Sequence, residues 1–251
     1  MIQEVKGWGS VYSKKAKLKA FKNSKILPTL KQAEGEFRSI DDLITSLYYG
    51  DNLNQEPSLK GYKEDLAKVS PDKRLKNILV WDTETTGRDA MARAVSFGAV
   101  LFDLETQEIK QEVYFELNPE KKIDPDAYKI HKISNNQVKD APLFSEKYEE
   151  LKKLFRSADM MVGQNLAFDI RILHNECERF GLPNVFLGEW FDTLKASVKF
   201  FGLKNQNGKG RTVNLEEALS LANIDKPEGE YHNAMTDSKA TLQLFLKMIN
   251  I

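Results

Sequence analysis

Residues 77–87 read NILVWDTETTG and carry the strongest structural signal in this chain of 251 residues. The run Asn77–Trp81 is short and apolar, which is typical of a strand buried on both faces of a sheet. Asp82 and Glu84 follow at once and are two positions apart, so their carboxylates point to the same side of an extended chain. The stretch therefore predicts a buried strand that ends in a pair of acids. On its own, such a pair is more commonly a helix cap or part of a salt bridge.

Strands and helices continue on the C-terminal side of this stretch. The hydrophobic pattern predicts two more strands over 94–102 and 112–117 and a short one over 160–163. Helices are predicted over 144–156, 166–180, 190–200, 214–222 and 233–249. Three consecutive strands followed by helices and short strands indicate a layered α/β domain.

Residues 1–76 differ from the rest of the chain in composition. They contain 15 Lys and Arg against 10 Asp and Glu, whereas residues 77–251 contain 22 against 27, and the formal net charge of the whole chain is zero. A helix capped by Ser39 is predicted within the first part. We therefore expect a basic, mainly helical extension or linker over 1–76 and a separate domain over 77–251. A basic extension on an acidic body suits nucleic acid, and a solvated lysine-rich face fits the charges equally well.

Composition limits the class of protein further. A hydrophobic share of 41% and a charged share of 29% are those of an ordinary globular chain. The lone Cys177 cannot form an intramolecular disulfide, and the first residues do not resemble a secretory signal, so we expect a cytoplasmic location. No apolar run approaches the roughly 20 residues that cross a bilayer, so no membrane partner is expected. The sequence also has no GxxxxGK phosphate loop and no Cys/His cluster of zinc spacing.

Two further acids lie on the apolar faces of predicted helices. Asp169 shares a helical stripe with Ile172, and Asp237 lines up with Leu244. An arginine or backbone amides more often satisfy a single acid of this kind. Four carboxylates converging on one partly buried site would repel each other and lose hydration, and divalent cations remove that penalty. Oxygen-only ligands favour Mg²⁺ or Mn²⁺ over Zn²⁺, and two such ions are a known means of cutting phosphodiesters.

His232 lies five residues before Asp237. In one continuous helix the two side chains would diverge by about 140° around the axis. A histidine on the loop that leads into the helix lets both side chains approach the same site. An imidazole with a pKa near neutrality suits a general base for the attacking water. Taken alone, the residue is more commonly an incidental surface histidine beside a helix cap.

Three segments at these acids resemble the motifs of the DEDDh 3′→5′ exonuclease superfamily. They are VWDTETTG over 80–87, GQNLAFDIRIL over 163–173 and HNAMTD over 232–237. IHKIS over 130–134 and FDTL over 191–194 also match in order. The resemblance covers roughly residues 77–249 and is strongest to the proofreading exonucleases of the epsilon type in bacterial DNA polymerase III.

The resemblance implies a ribonuclease H-like fold, in which helices flank a mixed central β-sheet, and it makes residues 77–251 a DEDDh exonuclease domain. It implies that four acids bind two Mg²⁺ or Mn²⁺ ions and that His232 is the general base. The four acids are Asp82, Glu84, Asp169 and Asp237.

The resemblance also implies a substrate and a reaction. Thr85 and Thr86 would contact the 3′-terminal nucleotide, with Asn165 and Phe168 on the side of the second motif. Nucleoside 5′-monophosphates would be released from a 3′ end, with single-stranded DNA as the expected substrate in proofreading or repair. A DNA polymerase is a candidate partner, with Trp8, Val11 and Tyr12 as possible contacts. The alternatives are an RNA-trimming exoribonuclease and a non-catalytic module that binds nucleic acid or a polymerase.

The chain departs from the family pattern at three places. Ser96 replaces an acid that relatives often carry in the second strand, and Lys132 replaces the usual glycine after His131. The loop 204–211, KNQNGKGR, is more basic than the family pattern leads one to expect. A contact with the substrate backbone and a solvated loop are both open explanations of its charge.

Overall fold

The computed structural model describes residues 75–184, 189–229 and 232–249. In this part of the chain, five strands form one sheet in the order β3-β2-β1-β4-β5. In chain order they are β1 Asn77–Thr85, β2 Ala94–Asp103, β3 Glu108–Glu116, β4 Met160–Gly163 and β5 Glu189–Asp192. β1 is antiparallel to β2 and parallel to β4, so the sheet is mixed.

Seven helices occur among the described residues. They are α1 Pro125–His131, α2 Asn135–Val138, α3 Phe144–Arg156, α4 Leu166–Arg179, α5 Thr193–Phe200, α6 Leu215–Ala222 and α7 Ala234–Ile249. None of the described helices is long and apolar enough to cross a membrane.

The central strand β1 is buried on both faces, as its apolar run predicts. Leu79 and Trp81 belong to the core cluster formed with α3 and α4. Ile78 and Val80 face the other way and pack against Phe245 of α7. Helices therefore flank the sheet on both faces, which confirms the predicted α/β architecture.

The prediction of a helix over 190–200 is wrong at its start. Residues Glu189–Asp192 form β5, which pairs in parallel with β4, and the helix begins only at Thr193. The reason lies in Asp192, whose side chain accepts a hydrogen bond from the backbone N–H of Leu194 and so caps α5.

Two smaller differences separate the sequence prediction from the structure. β3 begins at Glu108 rather than at 112, and the short helices α1 and α2 are not among the predicted elements. Lys132, at the glycine position of the family pattern, has a φ of 61° and ends α1 in the left-handed conformation that glycine favours. The predicted helix near Ser39 and the extension over 1–76 lie outside the described residues, apart from residues 75 and 76.

Candidate active site

Three carboxylates meet at the C-terminal end of β1. One oxygen from each of Asp82, Glu84 and Asp237 lies within 4.8 Å of the other two. The side chain of Glu84 is buried, and Asp82 and Asp237 are partly buried. β1 is irregular between Glu84 and Thr85, where its register with β2 shifts. Such irregularities re-aim side chains at the ends of strands.

Helix α7 brings Asp237 to this strand because its first turn lies very close to β2. Gly98 of β2 makes this approach possible, since a Cβ atom there would lie 2.3 Å from backbone atoms of Ala234 and Met235. The hydroxyl of Ser238 donates a hydrogen bond to the carbonyl oxygen of Gly98 at 2.9 Å. Because Gly98 pairs with Asp82 in the sheet, the contact places the start of α7 beside the acids of β1.

Asp169 reaches the same strand from the first turn of α4. Its Oδ1 accepts a hydrogen bond from the hydroxyl of Thr83 at 2.6 Å and another from the backbone N–H of Thr83 at 3.2 Å. Thr83 lies between Asp82 and Glu84, so Asp169 is joined directly to the segment that carries those acids. The structure therefore brings Asp82, Glu84 and Asp237 together and places Asp169 beside them, close enough for its charge to act on Asp82 and Glu84.

Burial raises the pKa of all four acids and is the largest cause in each case. The pKa of Asp82 is well above its usual range because of burial and the charges of its three acidic neighbours. Burial, Asp237 and Asp169 raise the pKa of Glu84 to about 8. Burial raises the pKa of Asp169 to about 7 and that of Asp237 to about 6, in both cases against hydrogen bonds that lower it.

The donor atoms of this cluster fit hard divalent cations. Oδ1 of Asp237 is buried and has no hydrogen-bond partner among the described residues. A buried carboxylate oxygen without a partner is costly unless a positive charge compensates it. The acids provide only oxygen ligands, which is the chemistry that Mg²⁺ and Mn²⁺ prefer.

His232 precedes α7 and is tied to the cluster through its backbone. Its N–H donates to Oδ2 of Asp237 at 3.2 Å, and its φ is 60°. The imidazole is exposed. Partial burial lowers its pKa, as do the charges of Arg88 and Lys226, while Glu216 opposes the shift. A lowered pKa leaves the ring neutral at pH 7 and able to accept a proton.

Thr85 ends β1 and Thr86 begins the turn that follows it, directly after the two acids. The hydroxyl of Thr85 donates to the carbonyl oxygen of Gly87 at 2.7 Å, and the hydroxyl of Thr86 accepts from the backbone N–H of Arg93 at 3.1 Å. Both residues are buried. Their hydroxyls hold the turn together, and a contact of these residues with a nucleotide stays a prediction.

Asn165 and Phe168 lie at the start of α4, as the second motif predicts. Asn165 is exposed and has a left-handed φ of 61°. Phe168 is partly buried, and the guanidinium of Arg171 lies 5.0 Å from the centre of its ring. Both residues are therefore near Asp169 in the chain, and their role towards a substrate stays a prediction.

Asp192, at the end of β5, is not among the predicted site residues, although its charge acts on Asp169. Its Oδ1 accepts hydrogen bonds from the backbone N–H of Asn165 at 2.9 Å and of Leu194 at 3.0 Å, so it links the starts of α4 and α5. Burial raises its pKa. The predicted helix over 190–200 hid the signal, because an acid at the end of a strand repeats the position of the acids of β1.

His131 is a second residue whose role the sequence did not reveal. Its Nδ1 accepts a hydrogen bond from the backbone N–H of Ile133 at 3.0 Å, and its Nε2 lies 3.2 Å from the carbonyl oxygen of Thr85. Since Nδ1 is an acceptor, Nε2 carries the proton and donates to Thr85. Burial lowers the pKa of His131, and the neutral ring fixes the backbone just after the acids of β1.

Comparisons with known proteins agree with this geometry. The family model RNase_T, described as Exonuclease, matches residues 79–245. The chain is 27% identical over 176 residues to the DNA polymerase III subunit epsilon of Rickettsia felis, covering 68% of this chain and 72% of that protein.

Solved structures share the fold at lower sequence identity. The nuclease domain of 3′hExo, a DEDDh family member bound to rAMP, aligns with a TM-score of 0.60 at 17% identity, covering 71% of this chain and 94% of that one. Exonuclease X in complex with 5′ overhanging duplex DNA aligns with a TM-score of 0.53 at 23% identity, covering 69% and 91%. These likenesses confirm the predicted ribonuclease H-like fold.

Proposed function

Because this chain belongs to the RNase_T exonuclease family and is a 3′→5′ exonuclease of the DEDDh superfamily, we propose that it degrades single-stranded DNA with two Mg²⁺ or Mn²⁺ ions at the acid cluster. The observation that carries the proposal is the convergence of three carboxylate oxygens within 4.8 Å, one of them on a residue with a buried, unpartnered oxygen. We place this chemistry in a domain over 77–251 and its action in the cytoplasm.

The four acids bind the cations, which when present stabilise the charge that develops on the reacting phosphate. Asp82 and Glu84 supply ligands from β1, and Asp237 supplies a ligand from α7. Asp169 is held by Thr83 through Oδ1, which leaves Oδ2 as its ligand atom. The backbone of His232 is left-handed, and this conformation fixes the loop that carries the imidazole next to the four acids.

The reaction is hydrolysis of the last phosphodiester bond. A water oxygen attacks the phosphorus atom, and neutral His232 accepts the water proton. The bond between phosphorus and the O3′ atom of the preceding nucleotide breaks, and that oxygen takes up a proton. The products are a nucleoside 5′-monophosphate and a strand that is one nucleotide shorter and again ends in a 3′ hydroxyl.

Selectivity for a 3′ end depends on the residues around the acids. Thr85 and Thr86 follow the acids of β1 directly, and Asn165 and Phe168 lie at the start of α4, next to Asp169 in the chain. A partly exposed aromatic ring is suited to stacking on a base, which favours an unpaired terminus. These residues bind the terminal nucleotide in our proposal.

DNA is the favoured polymer because the curated relative is a subunit of DNA polymerase III. By the same similarity we propose a DNA polymerase as partner, and Trp8, Val11 and Tyr12, which lie outside the described residues, as its candidate contacts. An RNA substrate is the second candidate, since a structural neighbour, a DEDDh family member, is bound to rAMP. A purely binding role is disfavoured, because a chain without catalysis has no need to retain all four acids and His232.

A cleavage assay tests the proposal. DNA and RNA oligonucleotides of one sequence, labelled at the 5′ end, are incubated with the protein and with Mg²⁺, Mn²⁺ or EDTA. We expect a ladder that shortens from the 3′ end with either metal, no cleavage in EDTA, and faster cleavage of DNA. Asp82→Asn is the control and should be inactive but folded. Cleavage that persists in EDTA or in the variant would overturn the site assignment, and faster cleavage of RNA would change the substrate.

A further inference from the structure

Arg88 lies in the loop 86–93, which joins β1 to β2, and follows Glu84 by four residues. Four residues of a fully extended chain span at most about 14 Å, so the backbone of Arg88 cannot lie farther than that from Glu84. Its neighbour Gly87 is buried, whereas Arg88 is exposed. The loop therefore presents Arg88 to solvent at a short distance from the acids of β1.

Helix α4 holds this loop in place. The guanidinium of Arg171 donates to the carbonyl oxygen of Asp89 at 2.8 Å and to that of Arg88 itself at 3.4 Å. Within the loop, the carboxylate of Asp89 accepts a hydrogen bond from the backbone N–H of Met91 at 2.6 Å. Since α4 also carries Asp169 in its first turn, one helix positions both an acid of the site and the backbone of Arg88.

The guanidinium of Arg88 lies close enough to His232 for its charge to act on the imidazole. The backbone N–H of His232 donates to Oδ2 of Asp237 at 3.2 Å. Arg88 and His232 therefore adjoin the acids from two different segments, the loop after β1 and the residues before α7. In the proposed reaction the imidazole must lie within about 3 Å of the water that attacks the phosphate. A cation beside this imidazole is consequently close to the phosphates at the 3′ end.

The guanidinium of Arg88 is not engaged by a partner within the described part of the chain. Of the arginines in 75–184, 189–229 and 232–249, four donate hydrogen bonds from their side chains to protein groups, namely Arg93, Arg171, Arg179 and Arg211. The side chains of Arg88 and Arg156 form neither an ion pair nor a hydrogen bond among these residues. A planar guanidinium matches the oxygens of a phosphate group in a bidentate contact. Arg88 is thus available for an anionic ligand beside the acids.

We propose that Arg88 binds one of the two phosphates nearest the 3′ end of the strand. The proposal rests on the proposed function, because it requires a 3′ end at the acids. The carboxylates repel an approaching phosphate, and a cation on the neighbouring loop offsets this repulsion. Contacts to phosphates carry no sequence information, so Arg88 contributes affinity for the 3′ end of any sequence.

The test combines protein variants with strands that lack a single phosphate charge. A 5′-fluorescent oligothymidine of about 20 nucleotides is made with phosphates only, or with one neutral methylphosphonate at the first, second or tenth linkage from the 3′ end. Binding is measured by anisotropy in EDTA, from low to moderate salt, for the wild type, Arg88→Ala and Arg156→Ala. Arg156 is the matched control, because it is exposed and precedes Ser157, whose carbonyl oxygen accepts from Asn77 at the start of β1. Asn77 is about 17 Å from Asp82 along that strand.

We expect Arg88→Ala to bind the strand with all phosphates about tenfold more weakly at low salt, since it loses a charged hydrogen bond. Its salt slope should be smaller by about 0.7, the value for one phosphate contact with a single strand. Arg156→Ala should match the wild type. In the wild type, a neutral linkage at the first or second position should cost about tenfold more affinity than one at the tenth, and in Arg88→Ala this difference should disappear.

Three results would overturn the proposal. They are wild-type affinity in Arg88→Ala, an equal loss in Arg156→Ala, and a neutral linkage near the 3′ end that has the same effect with and without Arg88. Cleavage of the strand with all phosphates is measured in parallel with Mg²⁺. A wild type that shows the coupling at the 3′ end but does not cleave would contradict the proposed function and leave the contact of Arg88 standing, whereas a wild type that does not bind the strand would contradict both.

Discussion

Buried and partly buried acids in this chain differ in their partners, and this difference distinguishes the acids of the site from a structural acid. Asp103 is buried, but the ammonium of Lys110 lies 2.7 Å from its carboxylate and the hydrogen bond lowers its pKa to about 2. Burial raises the pKa of Asp237 to about 6, and one of its oxygens has no partner among the described residues. Asp103 is therefore paired with a cation of the protein, whereas Asp237 keeps a buried oxygen that a bound metal ion would compensate.

His232, the histidine of the third motif, is predicted to act as the general base. His232→Ala should lower kcat by about 10²–10⁴-fold, the usual contribution of a general base, with little change in KM. Because burial lowers the pKa of His232, the wild-type rate should fall only as the pH drops below the ordinary histidine range. The measurement is a pH–rate profile of 3′-terminal release. His174→Ala, at a histidine outside the site, is the matched control, and a normal kcat for the His232 variant would exclude the role.

The raised pKa values also predict how stability depends on pH and metal. A carboxyl group whose pKa is raised by folding stabilises the folded state fully below its unfolded pKa of about 4, and this stability is lost as the pH rises from there through the folded pKa. Thus in EDTA the melting temperature should fall between about pH 4 and pH 8, because the unfolded chain is ionised there while Asp237, Asp169 and Glu84 keep their protons up to folded pKa values of about 6, 7 and 8. Metal at tenfold its dissociation constant should restore about 1.4 kcal/mol at pH 8.

Differential scanning fluorimetry across this pH range, with EDTA or with Mg²⁺, measures the effect. The difference between the two curves should grow as the pH rises, since ionised carboxylates bind the cation. Parallel curves with no effect of Mg²⁺ would contradict a cluster of ionising metal ligands.

The position of Asp237 depends on how closely helix α7 can approach strand β2. Gly98→Ala places a Cβ 2.3 Å from the backbone at Ala234 and Met235, so the first turn of α7 must move and take Asp237 with it. We expect a loss of activity of at least about 100-fold, as for other small displacements of catalytic groups, together with a lower melting temperature. Ser238→Ala is the control, because it removes the hydrogen bond to Gly98 without a clash and should cost about 1 kcal/mol. Wild-type kcat in the Gly98 variant would show that Asp237 does not depend on this contact.

The elements differ in how far their own sequences determine them. The helices α4 and α7 are long and strongly patterned, so their limits were predictable to within one residue. The start of β1 was predictable as well, but the strand continues to Thr85, four residues beyond its apolar run, and includes both acids. β5 has only four residues and depends on pairing with β4, a tertiary contact that local pattern does not contain. Asp192 was therefore assigned to a helix, and its position at a strand end was missed. The hydrogen bond between His131 and Thr85 joins residues 46 apart, so no local pattern indicated it.

The formal net charge of the whole chain is zero, but its charged residues are unevenly distributed along the sequence. Residues 1–76 carry an excess of positive charge and residues 77–251 an equal excess of negative charge. The family match lies entirely within the second part. In our proposal the acidic part of the chain therefore holds the chemistry, and the basic N-terminal segment contributes to the attraction of a polyanion.

A deletion tests this division of roles. Removing residues 1–70 should leave kcat on short oligonucleotides within about twofold, because the matched region starts at residue 79. Binding to long strands should weaken and lose salt dependence, since cations that release counterions are removed. Steady-state assays on strands of two lengths provide the measurement. A truncated protein that does not fold, as judged by circular dichroism, would instead make the N-terminal segment part of the domain.

The most direct test of the central claim counts metal ions and rates in the same samples. Mn²⁺ binding is titrated by electron paramagnetic resonance in the wild type, in Asp237→Asn and in Asp103→Asn, and 3′-terminal release is measured in parallel. The wild type and the Asp103 variant should bind two Mn²⁺ ions per chain and cleave at equal rates. Asp237→Asn should lose at least one ion and at least about 100-fold in rate, because it removes a ligand. Two bound ions and an unchanged rate in Asp237→Asn would contradict a catalytic metal site at this cluster.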